Sequence, residues 1–213
     1  LQGPSSVYNW PLINVTTPDA LKNVTVSDMV IDGRIPQSAA FDLNNGYADS
    51  LGIYFFASSR TGSNITVSGV EVRNTSEALH AKGFDGVSVS NCYFHDNGIM
   101  LNSTLGNHNF YLYWDANITV SNVRSIGSWA GDGLHLRDIT GTAIVKDSTF
   151  VGNYRLGIHT QLSGNTTTKT VISNNDISYN GSNIVILSTY DGRKMNGLDL
   201  ETMEEYSLAG IEA

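Results

Sequence analysis

A nine-residue phrase recurs along this chain, and repetition at coil-like spacing limits the fold more than any total does. Residues Asn23–Ile31 read NVTVSDMVI, Asn64–Val72 NITVSGVEV, Gly86–Phe94 GVSVSNCYF, Asn117–Ser125 NITVSNVRS and Thr142–Phe150 TAIVKDSTF. Thr170–Ile177 repeats it one residue shorter, as TVISNNDI. In each copy apolar residues alternate at period two, as half-buried strands require. The inward pairs are Val24/Val26, Ile65/Val67, Val87/Val89, Ile118/Val120, Ala143/Val145 and Thr170/Ile172. The alternation then slips by one residue at Asp28, Gly69, Asn91, Asn122, Asp147 and Asn174. Asp, Asn and Gly tolerate a left-handed backbone, so each slip predicts a bend. A second short strand turns inward after it, at Met29/Ile31, Val70/Val72, Cys92/Phe94, Val123, Phe150 and Ile177. Cys92 reads there as a small core residue rather than a reactive thiol.

Each corner follows a third run: GIYFF from Gly52, ALHAK from Ala78, NFYLY from Asn109, GLHLR from Gly133, GIHTQ from Gly157 and NIVIL from Asn183. Three short strands per unit, joined by tight bends, predict an all-β, single-stranded right-handed parallel β-helix of about six to seven coils. No unit buries its inner face alone; stacking makes the core continuous. From Asn23 to Leu187 the chain resembles the right-handed β-helix superfamily, which includes pectate-lyase-like and polyuronate-epimerase-like proteins. We expect one domain over 1–213: a cap or partial coil over 1–22, coils over 23–187 and a C-terminal cap over 188–213. Within that cap, Leu198 to Ala209 has helix-forming composition. Two excursions, Gly33–Ser50 and Asn97–His108, are placed to wall a face of the solenoid.

Composition narrows the partners. A formal net charge of −8 argues against sequence-independent nucleic-acid binding, which needs a basic face. No apolar run approaches a membrane span. Cys92 is the only cysteine, so no internal disulfide forms. No signal peptide is visible, and the start at Leu1 without Met leaves room for a removed leader and a larger parent chain. Low charge with an Asn/Thr-rich surface favours an extracellular or cell-surface setting. Of the Asn-x-Ser/Thr sequons, Asn23, Asn64 and Asn117 hold one repeat position, which turn chemistry explains without glycosylation.

The functional signal lies in the third run. Its inward residues are Ile53/Phe55, Leu79/Ala81, Phe110/Leu112, Leu134/Leu136 and Ile158/Thr160, so Tyr54, His80, Tyr111, His135 and His159 point outward. One step on, the same face carries Phe56, Lys82, Tyr113, Arg137 and Gln161, flanked by Asp85, Trp114, Asp115, Asp132, Asp138 and Arg155. The second strand's outward positions are plain by contrast: Thr25, Thr66, Ser88 and Thr119. A linear row of aromatic faces and cations suits an extended, acidic polysaccharide. The competing account is a stabilising outer ladder of stacked rings. A metal set of His80, His135 and His159 is disfavoured, since intervening coils separate them. No cofactor is expected, Ca²⁺ being the one ion left open.

Uronate polymers are cleaved or epimerised by removing the proton α to the carboxylate, which needs a neutralising cation, a base and an acid. Arg137 or Lys82 is the expected cation, His135 or Lys82 the base, Tyr111 or Tyr113 the acid, with Asp132 beside them. Tyr54, His80, Tyr113, Trp114, Asp115, Arg155, His159 and Gln161 are expected to line the polymer. The resemblance implies the same sheet as the location of such chemistry. Of the epimerase signature Tyr-Gly-Phe-Asp-Pro-His only Gly83-Phe84-Asp85 is present, and the paired Asp of polygalacturonases reduces to Gly131-Asp132-Gly133. Asp115 with Asp132 is the pair an inverting hydrolase would use. A binding module, adhesin or spike segment, or a structural assembly unit, uses the same strip without turnover.

Overall fold

In the computed structural model the phrase folds as read, and the slip residues are the corners. Described here are residues 11–17, 21–39, 50–58, 60–100, 107–162, 168–188, 198–199 and 211–212. Asp28, Gly69, Asn91, Asn122, Asp147 and Asn174 all take left-handed φ values, between 51° and 64°. The strands on either side of each bend go to different sheets, so one residue at positive φ turns the chain from one face of the prism to the next.

Three parallel sheets result. Among the described residues, one has eight strands, the second seven and the third six, each stacked in chain order. The first sheet runs through Ile13–Thr17, Ile53–Ala57, Leu79–Lys82, Phe110–Tyr113, Leu134–Arg137, Leu156–Leu162, Ser182–Ser188 and Ile211–Glu212. Its opening strand pairs Ile13 with Ile53 through Thr17 with Ala57, so the segment before Asn23 holds part of an earlier coil. Of the segment with helix-forming composition, only the first two residues are described. Leu198–Asp199 is extended and pairs with Thr170 and Val171. Residues 200–210 of that segment lie outside the described residues, as do parts of both excursions.

In-register stacking puts like residues above one another. Val24, Ile65, Val87, Ile118, Ala143 and Thr170 form one inward column of the second sheet. Ile31, Val72, Phe94, Ser125, Phe150 and Ile177 form one of the third. Phe94 packs on Phe110 with ring centroids 5.1 Å apart, and Phe110 on Phe150 at 6.5 Å. Cys92 lies in this core, its thiol against the carbonyls of Val67 and Ser90. Met29, expected inward, is exposed; among the described residues the strand after it, Val30–Asp32, is the edge of the third sheet.

Buried Asn side chains close the corner between the third and first sheets. Asn153 accepts from the Ser128 N–H and from Asn109 Nδ2, both at 3.0 Å. It donates to the Ser125 carbonyl and to Asn180 Oδ1. Asn97 donates likewise to the Val72 carbonyl and to Asn109. The sequon residues Asn23, Asn64 and Asn117 have φ of 57°, 57° and 49°. Asn64 Nδ2 donates to Asn23 Oδ1 and Asn117 Nδ2 to Asp85 Oδ1, so their side chains are structural links between coils. No helix among the described residues is long and apolar enough to cross a membrane.

Candidate functional site

Because the first sheet's inward residues from Ile53 and Phe55 to Leu136 and Ile158 are apolar and buried, the intervening residues face outward in two rows. Pairing joins Tyr54 to His80, His80 to Tyr111, Tyr111 to His135 and His135 to His159. The second row joins Phe56, Lys82, Tyr113, Arg137 and Gln161 in the same order. Rungs in such a sheet are ~4.8 Å apart. Successive rings touch: Tyr54–His80 at 5.2 Å between centroids, His80–Tyr111 at 4.9 Å, Tyr111–His135 at 4.7 Å and His135–His159 at 4.0 Å.

The strip has two unlike halves. Tyr54, Phe56, His80, Lys82, Tyr111, Tyr113 and Arg137 are half-buried and offer surface to solvent. Here Lys82 Nζ lies between the rings of Phe56 (5.3 Å) and Tyr113 (4.7 Å), and the Arg137 guanidinium sits 5.2 Å from the Tyr113 centroid. Cation–π contact holds both charges at the surface without neutralising them. His80 Nδ1 is 3.1 Å from Oε2 of the buried Glu77. Donation from Nδ1 to that carboxylate leaves Nε2 as an acceptor. Burial pushes the Tyr111 phenol up despite a hydrogen bond with Arg137. It is therefore a protonated donor at neutral pH.

The other half is covered. His135 is 7% exposed, His159 5% and Asp132 not at all. The Nδ1 atoms of His159, His108 and His135 lie 3.0, 3.1 and 3.7 Å from Asp132 Oδ2. His108 Nε2 is 3.1 Å from His135 Nδ1. Burial raises the Asp132 carboxyl, but His108 and His159 hold it well below the usual carboxylate range. Burial and the neighbouring histidines push His135 well below an ordinary imidazole. Among the described residues, His108, Asp132 and His135 form the one group whose donor atoms are spaced to hold a metal, all within 4.8 Å of one another.

Several sequence expectations change. His135, expected as an open base, is covered: its ring is stacked between Tyr111 and His159, with His108 edge-on against it. His159 and Asp132 leave the open strip with it. Asp115 does not face the polymer track either. It is fully buried under the corner, where Oδ1 accepts from the Phe84 N–H at 2.8 Å. An inverting pair of Asp115 and Asp132 is therefore not presented on the strip. Trp114, at φ 60°, carries Arg60 over its ring at 4.6 Å, and Arg60 also donates to the Trp114 and Asp138 carbonyls. Arg155 Nε lies 3.9 Å from Asp132 Oδ1, on the covered half. Gln161 lies beside Arg137 in the second row, and Leu187 pairs beyond it. The triple His80, His135 and His159 does not assemble around one point.

Two residues escaped the sequence analysis, Glu77 and His108. Counting back along the paired strands, Glu77, His108 and Asp132 share one column, each three residues before the outward ring of its strand. Glu77-x-x-His80 and Asp132-x-x-His135 are the visible trace of that column. His108 ends the Asn97–His108 excursion, where no alternation marks it.

The chain matches the family described as "Right handed beta helix region" over residues 13–197. No curated protein and no solved structure gives a significant match.

Proposed function

We propose that this chain, which belongs to the right-handed β-helix family, acts outside the cell on an extended anionic polysaccharide by abstracting the proton α to a uronate carboxylate. A β-helix domain fits a carbohydrate-active or surface protein. The finer reading rests on one observation: a His–carboxylate pair, a protonated phenol and two surface cations share the open half of one strip.

A sugar seated between rungs has its carboxylate against Lys82 and Arg137, which lowers the cost of the developing enolate. His80 Nε2, with Nδ1 held by Glu77, takes the C5 proton. In elimination the freed electron pair forms the C4–C5 double bond, the C4–O bond breaks, and the Tyr111 phenol protonates the leaving oxygen. In epimerisation the same phenol delivers a proton to the opposite face of C5. Phe56, Tyr54 and Tyr113 supply apolar faces for neighbouring sugars.

The test is a panel of uronate polymers assayed for unsaturated ends, for solvent deuterium at C5 and for retention on immobilised polymer. Turnover that falls by about 10²–10⁴ in His80→Ala and in Tyr111→Phe is the expected result. Turnover untouched by both substitutions sinks the assignment of roles. Retention without product on every polymer moves the protein to the second reading, a binding module. The interlocked Lys82–Tyr113–Arg137 stack supports that alternative, since it suits binding without any proton transfer.

A further inference from the structure

The covered half of the strip has no part in that chemistry. The geometry points to a site for one borderline divalent cation of the Zn²⁺ type, ligated by His108, Asp132 and His135.

Protons alone do not close the contacts found there. His108 Nδ1 faces a donor, the Asp132 backbone N–H at 3.0 Å, and an acceptor, Asp132 Oδ2 at 3.1 Å. One nitrogen serves only one of these. His135 Nδ1 stands 3.7 Å from Oδ2, beyond hydrogen-bond range, and its hydrogen-bond contact is His108 Nε2 at 3.1 Å. Asp132 Oδ1 is buried without a hydrogen-bond partner, and Arg155 Nε comes no closer than 3.9 Å. A carboxylate with no exposure needs a compensating charge nearby.

A cation among the three residues supplies it. Donors bound tetrahedrally at ~2.0–2.1 Å stand roughly 3.4 Å apart. The three residues each place one donor atom within 4.8 Å of the others, and His135 Nδ1 at 3.7 Å from Oδ2 lies close to that spacing. Two imidazoles and one carboxylate select a borderline ion over Ca²⁺ or Mg²⁺, which prefer all-oxygen shells. His159 Nδ1 donating to Oδ2 at 3.0 Å orients the carboxylate ligand from behind. The ion would pin His108, the last residue of the Asn97–His108 excursion, to the rung of His135.

Chelator-treated protein is titrated separately with Zn²⁺, Co²⁺, Ca²⁺ and Mg²⁺, followed by calorimetry, Co²⁺ ligand-field absorption and thermal unfolding. One equivalent of Zn²⁺ should bind, Co²⁺ should give low-coordinate bands, and both should raise the unfolding midpoint. His108→Gln and Asp132→Asn should abolish binding. His159→Gln should weaken it about 10–100-fold. His95→Gln, whose imidazole lies on the third sheet between Glu71 and Asp96, should bind normally. The site is refuted if the parent protein binds no Zn²⁺, if Ca²⁺ alone binds and stabilises, or if Zn²⁺ is lost with His95 and not with His108. These readouts need no polysaccharide, so they stand or fall apart from the proposed turnover.

Discussion

Asp115 and Asp132 show how far two carboxylates of one sequence class can diverge in one fold. Both are fully buried. Asp132 is ringed by imidazoles and stays charged. Asp115 meets backbone amides and a single distant cation, Arg60, and burial drives its carboxyl up to about 8. The folded chain therefore keeps a proton on Asp115 across the window from about 4 to about 8, where the unfolded chain has lost it. More protons bound when folded means that stability falls as pH rises through that window. Asp115→Asn removes the titration while keeping an acceptor for the Phe84 N–H. Its melting temperature should decline less than the parent's between pH 5 and about 8, a comparison read directly by thermal scans in matched buffers. An equal decline in both proteins would mean that Asp115 titrates normally.

At the scale of an element, each strand is too short to be stable alone, and the corners decide where it ends. The corner held by Asn153 joins three coils through its contacts with Ser125, Ser128, Asn109 and Asn180. Asn153→Ala leaves buried donors and acceptors without partners on both sides of the side chain. At ~1–3 kcal/mol for each group stranded, the loss should be at least about 2 kcal/mol. Urea unfolding should show it as a lower midpoint at unchanged slope. A loss below about 0.5 kcal/mol would mean that neighbouring groups re-pair. The outer strands carry the contrasting lesson. A ring on each rung makes a ladder, and whether that ladder faces solvent depends on what folds over it. Tyr54 to Tyr111 is open, while His135 and His159 are closed under their own stacking and His108.

For the whole molecule, stacked coils turn a one-dimensional repeat into columns, and charge is sorted along them. The chain has a formal net charge of −8, yet the open half of the strip displays Lys82 and Arg137. Attraction of an anionic polymer to that half has to work against the repulsion of the remainder. Its affinity should fall as salt rises from 0.05 M to about 0.5 M, through the range where the screening length drops below the strip's own spacing. The double substitution Lys82→Gln with Arg137→Gln should flatten that dependence, measured by affinity electrophoresis. Binding indifferent to salt in the parent protein would rule out an anionic ligand. The phrase with its slip residue determined the solenoid, its three sheets, its corners and the membership of both outward rows, because period-two alternation and left-handed Asp, Asn and Gly are local properties. It also placed Cys92 in the core. Local rules could not say that Met29, beside the edge strand of the third sheet among the described residues, is exposed. Nor could they show that Asp115 turns under a corner, or that Leu198 continues a sheet instead of starting a helix. Least of all could they bring His108 from the end of an excursion to Asp132 and His135. Those outcomes depend on which coil lies above and below, and only the stacked molecule supplies that neighbour.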